Sequence, residues 1–218
     1  MDKETFSIPL EKNPLIAMKA IPGHFTTSNS HVSHFLDLND MRSNAIIARD
    51  VAEELAVPYL SGTLIETIVC MERTEVVGAY LAEELLEQGI LPLENSGDIH
   101  VVTPINIANG NLIFQSSTIQ WVTNKCILLL VASISSGITV KKALECITFY
   151  GGNVVGISAL FRSLDEGQVC ENQFGKINAL FTSEDIPGYK IWNTNDCELC
   201  KEGRKLDAIV SSEGYTEL

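Results

Sequence analysis

The spacing of apolar and polar residues predicts short buried strands separated by amphipathic helices. Cys126–Ala132 is an almost unbroken apolar run of strand length, and Leu64–Met71, Ile99–Thr103, Val154–Phe161 and Ile177–Phe181 are similar. Such runs are expected of strands covered on both faces. Between them lie segments with helical periodicity. A helix capped by Asn39 or Asp40 is predicted through Ala56, with Ile46, Ile47, Val51 and Leu55 on one face. A second runs from Glu75 to Gln88 and is closed by Gly89, and a third from Val140 to Tyr150 is ended by Gly151-Gly152. Alternating strands and helices imply an α/β fold, a parallel sheet flanked by helices.

The two ends of the chain lack this rhythm. Pro9, Pro14 and Pro22-Gly23 break residues 1–27, leaving Leu15–Ile21 as a short edge strand. Residues 28–37 read as a loop entering a strand, and the tail from Asp185 as irregular. Asn109-Gly110 is a hairpin signal, with Leu112–Gln115 as its second arm.

Charge narrows the partners. Lys and Arg total 15 against 28 Asp and Glu, a net charge of −13. Binding to nucleic acid or to an anionic membrane surface depends on neutralising phosphates, which this balance opposes. A local pocket for a small anion is compatible with it. No apolar run approaches the roughly 18 residues of a membrane helix, and the charged N-terminus has no apolar stretch behind it, so the expected location is cytoplasmic. Four of the six cysteines (Cys70, Cys126, Cys146 and Cys170) are scattered singly, as expected of reduced thiols.

The sharpest chemical feature follows the Cys126–Ala132 run. Ser135-Ser136-Gly137-Ile138-Thr139 forms a short turn between a strand and a helix. Free amides and the positive helix end converge there, Gly137 permits an unusual backbone angle, and three hydroxyls add donors. Together they form a nest for a phosphate monoester. The plainer alternative is a turn whose Ser and Thr only cap the helix. A second feature is Cys197-x-x-Cys200-x-x-Gly203, half of a zinc knuckle. His31 and His34, Cys170 or a partner chain could complete it, and free thiols are the alternative. His24 and His100 read as isolated. Glu83, Glu84 and Glu87 read as a solvated helix face, and Asp165-Glu166 as a loop acid pair.

The segment 126–139 resembles the phosphoribosyl-diphosphate motif of type I phosphoribosyltransferases, whose Thr/Ser-rich loop holds a 5′-phosphate. His34–Ser43 and the following helix resemble the N-terminal part of orotate phosphoribosyltransferases, and the likeness spans roughly residues 25–165. It implies a hood over residues 1–40, a core over 41–185 and a tail over 186–218 that returns to the hood. It also implies a homodimer, Mg2+ in any transfer reaction, and a phosphorylated ligand, either a nucleotide or phosphoribosyl diphosphate. Glu72, Arg73 and Thr74 occupy the place of the family's pyrophosphate loop, with Arg73 as an anion contact or a surface cation paired with Glu72 or Glu75.

The departures bear on chemistry. The family's two ribose-binding acids fall on Val131 and Ala132, and no Lys or Arg lies between Arg73 and Lys125, where orotate enzymes carry a basic loop. Residues 103–115 are neutral instead, and no lysine stands in Thr26–His31. Three readings follow: an orotate-type transferase, a catalytically inactive member that binds a nucleotide or phosphometabolite as a sensor or subunit, and a structural protein with no small ligand. No catalytic residue can be assigned from the sequence.

Overall fold

The computed structural model describes residues 4–89, 97–107, 110–163, 177–211 and 214–218. Asn109 of the predicted hairpin turn, the acid pair at 165–166 and Cys170 lie outside the described residues.

Two sheets organise the chain. The core sheet has five strands, all parallel: β4 (Thr67–Cys70), β5 (His100–Val102), β8 (Cys126–Ile134), β9 (Asn153–Arg162) and β10 (Asn178–Thr182), in the order β10-β9-β8-β4-β5. β8 is central, and Ile127–Val131 are fully buried within it. That is why its sequence is apolar without alternation. One face is covered by α1 (Asn39–Ser43), α2 (Ala45–Ala56) and α3 (Glu75–Gln88), which pack Val51, Leu55, Val77 and Leu81 against Ile68, Leu128 and Leu130. The other is covered by α4 (Ile138–Phe149), with Val140, Leu144 and Ile147 against Ile127, Leu129 and Val131. The β6 (Ile105–Asn106) and β7 (Leu112–Ile113) hairpin lies beyond β5 in sequence.

The second sheet is the hood. β1 (Phe6–Pro9), β2 (Ala17–Thr26) and β3 (Ser30–Asp37) come from the N-terminal segment. β11 (Ile191–Asn193), β12 (Ala208–Ser211) and β13 (Gly214–Glu217) come from the tail, giving the path β11-β3-β2-β12-β13 with β1 also on β2. Ile16, Met18 and Ala20 of the hood pack into the same core as α1, α2 and α3.

This corrects the reading of both ends. β2 is an interior strand rather than a short edge strand, and it runs through Pro22-Gly23 because its register with β3 shifts between Pro22 and Phe25. A bulge is where a residue without an N–H can sit inside a sheet. The tail is three strands and the short helix α5 (Glu198–Lys201). The predicted helix through Ala56 is split at Asn44, whose side chain accepts from the amides of Ile46 and Ile47; neither Asn39 nor Asp40 caps it.

Close packing of α3 on β4 depends on Gly78. A Cβ there would lie 2.4 Å from Cys70 Sγ and 3.2 Å from Val101 Cγ1. Burial pushes the Cys70 thiol up to about 12, so it packs as a neutral group. Gly78→Ala should therefore destabilise the protein despite the better helix propensity of alanine, with a net loss of about 1–2 kcal/mol and a fall in Tm of roughly 2–8 °C. In a Cys70→Ala background the same substitution should be neutral or stabilising, and four thermal melts would expose this coupling.

Candidate functional site

β8 ends at Ile134 and α4 begins at Ile138, so three residues make the turn. Gly137 occupies the N-cap position with φ 74°, the left-handed region that favours glycine. No side chain caps this helix. Ser135, Ser136 and Thr139 therefore do not serve as its caps, and the capping alternative loses its support. The first turn keeps its amides available at the positive end of a 12-residue helix, the arrangement that binds phosphate.

Ser135, Ser136, Gly137 and Thr139 line a cavity at the carboxyl end of β8. Ile138 is 40 % exposed, so its side chain points outward and it can contribute only main chain. The hood forms the opposite wall of the cavity with Thr27, Ser28 and Asn29 of the β2–β3 turn and with Val210 and Ser211 of β12. Arg42 is the only lysine or arginine among the described lining residues. Its guanidinium donates from Nη1 to the Glu72 carbonyl (2.9 Å) and from Nη2 to Asn39 Oδ1 (2.7 Å).

The segment after β4 is strained. Glu72 and Arg73 have φ of 56° and 64°, both left-handed. For residues with a Cβ this costs on the order of 1–2 kcal/mol each, and such strain collects at ligand sites. The twist turns the Glu72 side chain into the cavity, where its carboxylate accepts from the Ser133 amide at 3.0 Å and from the Ala132 amide. Arg73 is exposed and does not line the cavity. Thr74 is fully buried, and its hydroxyl is within donating distance of the carbonyls of Met71 (2.9 Å) and Leu130 (3.2 Å). Thus, of the three residues expected in this loop, Glu72 reaches the cavity, Arg73 faces solvent and Thr74 anchors the turn.

Among solved structures, the chain is similar to an adenine phosphoribosyltransferase from Leishmania donovani, with a TM-score of 0.52 and 12% identity over 76% of this chain and 78% of that one. It is similar to the UMP synthase of Leishmania donovani, with a TM-score of 0.51 and 17% identity over 71% of this chain and 31% of that much longer one. It is also similar to the orotate phosphoribosyltransferase of Mycobacterium tuberculosis H37Rv solved with Fe(III) dicitrate, with a TM-score of 0.50 and 14% identity over 77% and 91% of the two chains. The chain has a type I phosphoribosyltransferase-like fold. No protein-family model and no curated protein matches the chain, and identities this low carry the fold alone. Among the described residues, no helix is long and apolar enough to cross a membrane.

Within this phosphoribosyltransferase-like fold, a second cluster lies in the hood. His24, His31, Cys197 and Cys200 place one ligand atom each within 4.8 Å of one another, a group that could hold a metal ion. The expected pair of His31 and His34 is not the pair that meets. Residues three apart on a strand face opposite sides, so His34 turns to the cavity, stacks on Tyr189 and meets Ser33 Oγ at 2.8 Å. Burial lowers its pKa. His24, read as isolated, takes its place: Thr26 pairs with His31, and His24 is two residues from Thr26 on the same face. Its seven-residue separation from His31 across a hairpin was the available signal. Arg42 had no comparable signal.

Burial raises the Glu72 carboxyl above its ordinary value of 4.5, against the pull of the Ser133 and Ala132 amides and of Arg42. The folded protein therefore holds this proton more tightly than the unfolded chain. The resulting stabilisation is full below pH 4.5 and is lost as pH rises through the raised pKa. Glu72→Gln cannot ionise and should escape this loss, so the Tm of the variant relative to wild type should grow more positive from about pH 4.5 to pH 7. A flat or opposite trend in melts across that range would show that the carboxylate is favourably solvated.

Proposed function

We propose that this chain is an orotate phosphoribosyltransferase-like protein that binds the 5′-phosphate of a ribosyl ligand, a nucleotide or phosphoribosyl diphosphate, over Ser135–Thr139, and that, if active, it transfers phosphoribosyl to a base. The observation that carries the binding is the uncapped N-terminus of α4 opening, through left-handed Gly137, into a cavity walled by a hood. Ser135, Ser136 and Thr139 supply hydroxyl donors beside the amides, and Arg42 supplies the cation facing the same space.

A second reading has its own support: a member that binds its ligand without transfer, as a sensor or subunit. Transfer in this family uses Mg2+, and the donor set for it is thin. Val131 and Ala132 offer no oxygen ligand from their side chains, and the two carboxylates among the described lining residues, Glu72 and Asp37, already accept from the amides of Ser133 and Asn39. These residues do not fit a magnesium-bound pyrophosphate. The neutral segment 103–115 points the same way, since pyrophosphate in a closed site needs cations.

The free thiols of Cys70, Cys126 and Cys146 accord with a reducing cytoplasm. Ile46 and Val57, 74 % and 58 % exposed at the two ends of α2, accord with a homodimer; light scattering would then give twice the 23.9 kDa of the chain.

Titration calorimetry with phosphoribosyl diphosphate, with and without magnesium, and with a pyrimidine nucleoside 5′-monophosphate separates the readings. Magnesium-dependent binding of the diphosphate supports transfer, and binding of the monophosphate without it supports the second reading. In either case ligand at about 100 times its Kd should raise Tm by roughly 5–10 °C. Gly137→Val should abolish the shift, and Thr139→Val, which keeps the backbone, should weaken binding about tenfold. No binding of either ligand by wild type would overturn both readings.

A further inference from the structure

We propose that His24, His31, Cys197 and Cys200 bind one Zn2+ in a closed tetrahedral site, and that this ion clasps the C-terminal segment onto the hood. The proposal does not depend on the identity of the cavity's ligand.

The distances match the ion. Zinc–nitrogen bonds of about 2.0–2.1 Å and zinc–sulfur bonds of about 2.3 Å place two ligand nitrogens of a tetrahedron ~3.3 Å apart, and a nitrogen and a sulfur ~3.6 Å apart. His24 Nε2 and His31 Nδ1 are 3.2 Å apart. Cys197 Sγ and Cys200 Sγ lie 3.3 and 3.6 Å from His24 Nε2, and Cys200 Sγ lies 3.4 Å from His31 Nδ1.

The tautomer matches too. His24 Nδ1 faces the carbonyls of Arg204 (3.1 Å) and Lys205 (3.2 Å), which can only accept. Nδ1 therefore carries the proton, and Nε2 presents its lone pair to the cluster. Metal-bound imidazoles are oriented by this second contact. Two thiols, on losing their protons to solvent, give two thiolates that balance the dication, so the site holds no net charge. His24 and Cys197 are each 1 % exposed and His31 is 8 % exposed, which leaves no open coordination position on their side. Two sulfurs and two imidazoles in a tetrahedron are the donor set of a structural zinc site. Gly203, with φ 75°, closes the knuckle by donating its amide to the Cys200 carbonyl at 3.0 Å.

The consequence is mechanical. The ion joins β2 and β3 to a segment 173 residues away in sequence. The β2–β3 turn between the two histidines carries Thr27, Ser28 and Asn29, and the strand after the knuckle, β12, carries Val210 and Ser211. All five line the cavity. β12 pairs with β2 at only Ala208–Phe25 and Ile209–Thr26, and the His24 carbonyl and Asp207 amide bond at 2.8 Å beside that pairing. Zinc supplies the anchor that so short a pairing lacks.

The test uses the full chain expressed with added zinc. Elemental analysis should find one zinc per chain, and cobalt(II) substitution should give tetrahedral visible bands with thiolate charge transfer. Chelation should lower Tm by roughly 10 °C at a starting free zinc about 1,000 times its Kd. It should also speed amide exchange in residues 27–30 and 208–211 at least tenfold. Cys200→Ser, at the exposed ligand, should lose the metal, whereas His34→Ala should keep it. Metal-free protein under zinc supply, a Cys197–Cys200 disulfide, or zinc retained undiminished in Cys200→Ser would overturn the site. Unchanged exchange after chelation would overturn the clasp.

Discussion

The carboxyl end of β8 sets the terms for the rest of the molecule. A parallel sheet with helices on both faces leaves one exit from its buried central strand, and there the chain must turn from β8 into α4 within three residues. Left-handed Gly137 makes the turn and leaves the first helical amides without side-chain caps. Buried amides must find a partner, so a lid that covered this end by filling it would strand them. The hood instead faces the turn across a cavity of mixed polarity, bringing Thr27, Ser28, Asn29 and Ser211 rather than apolar side chains alone. The amides are thereby sheltered yet accessible.

The hood is built from both ends of the chain, and its connectivity explains its dependence on side-chain anchors. β2 and β3 form a local hairpin with a long ladder, whereas β12 reaches β2 from far away in sequence through a two-residue pairing. Ordering a distant segment against so few backbone bonds costs closure entropy that those bonds barely offset. Contacts around His24 concentrate where this deficit is largest: its amide donates to Asp207 Oδ2 at 2.7 Å, and its ring meets the Arg204 and Lys205 carbonyls.

The parts legible in the sequence were those with strong local signals. Buried parallel strands announce themselves as apolar runs, and the glycine and hydroxyls of residues 135–139 carry their geometry in their residue types. The hood was expected only from the family resemblance; its strands were not legible in the residue pattern, because β2 contains Pro22-Gly23 and β11 and β12 join β3 and β2 from far along the chain. His24 shows the same limit. Its chemistry was in plain view, but only the hairpin register and the return of the tail place it beside His31 and Cys197. Glu72 was assigned to its loop, yet the direction of its carboxylate follows from two left-handed residues that no sequence rule would place there, since neither is glycine.

That carboxylate also makes sense of the residues at the end of β8. Glu72 accepts from the amides of Ala132 and Ser133, and Val131 and Ala132 bring no charge near it. An acidic side chain at 132, which lines the cavity, would set a further negative charge beside an already desolvated carboxylate whose pKa burial has raised, whereas Val131 packs on the opposite face under α4. With Arg42 as the only lysine or arginine among the described lining residues, the added repulsion would push Glu72 out of the cavity or keep it protonated. The inward turn of Glu72, the strain at residues 72 and 73 and the uncharged Ala132 on β8 are therefore one mutually dependent arrangement. Among the described lining residues, the carboxylates come from Glu72 after β4 and from Asp37 at the end of β3, and none comes from the central strand.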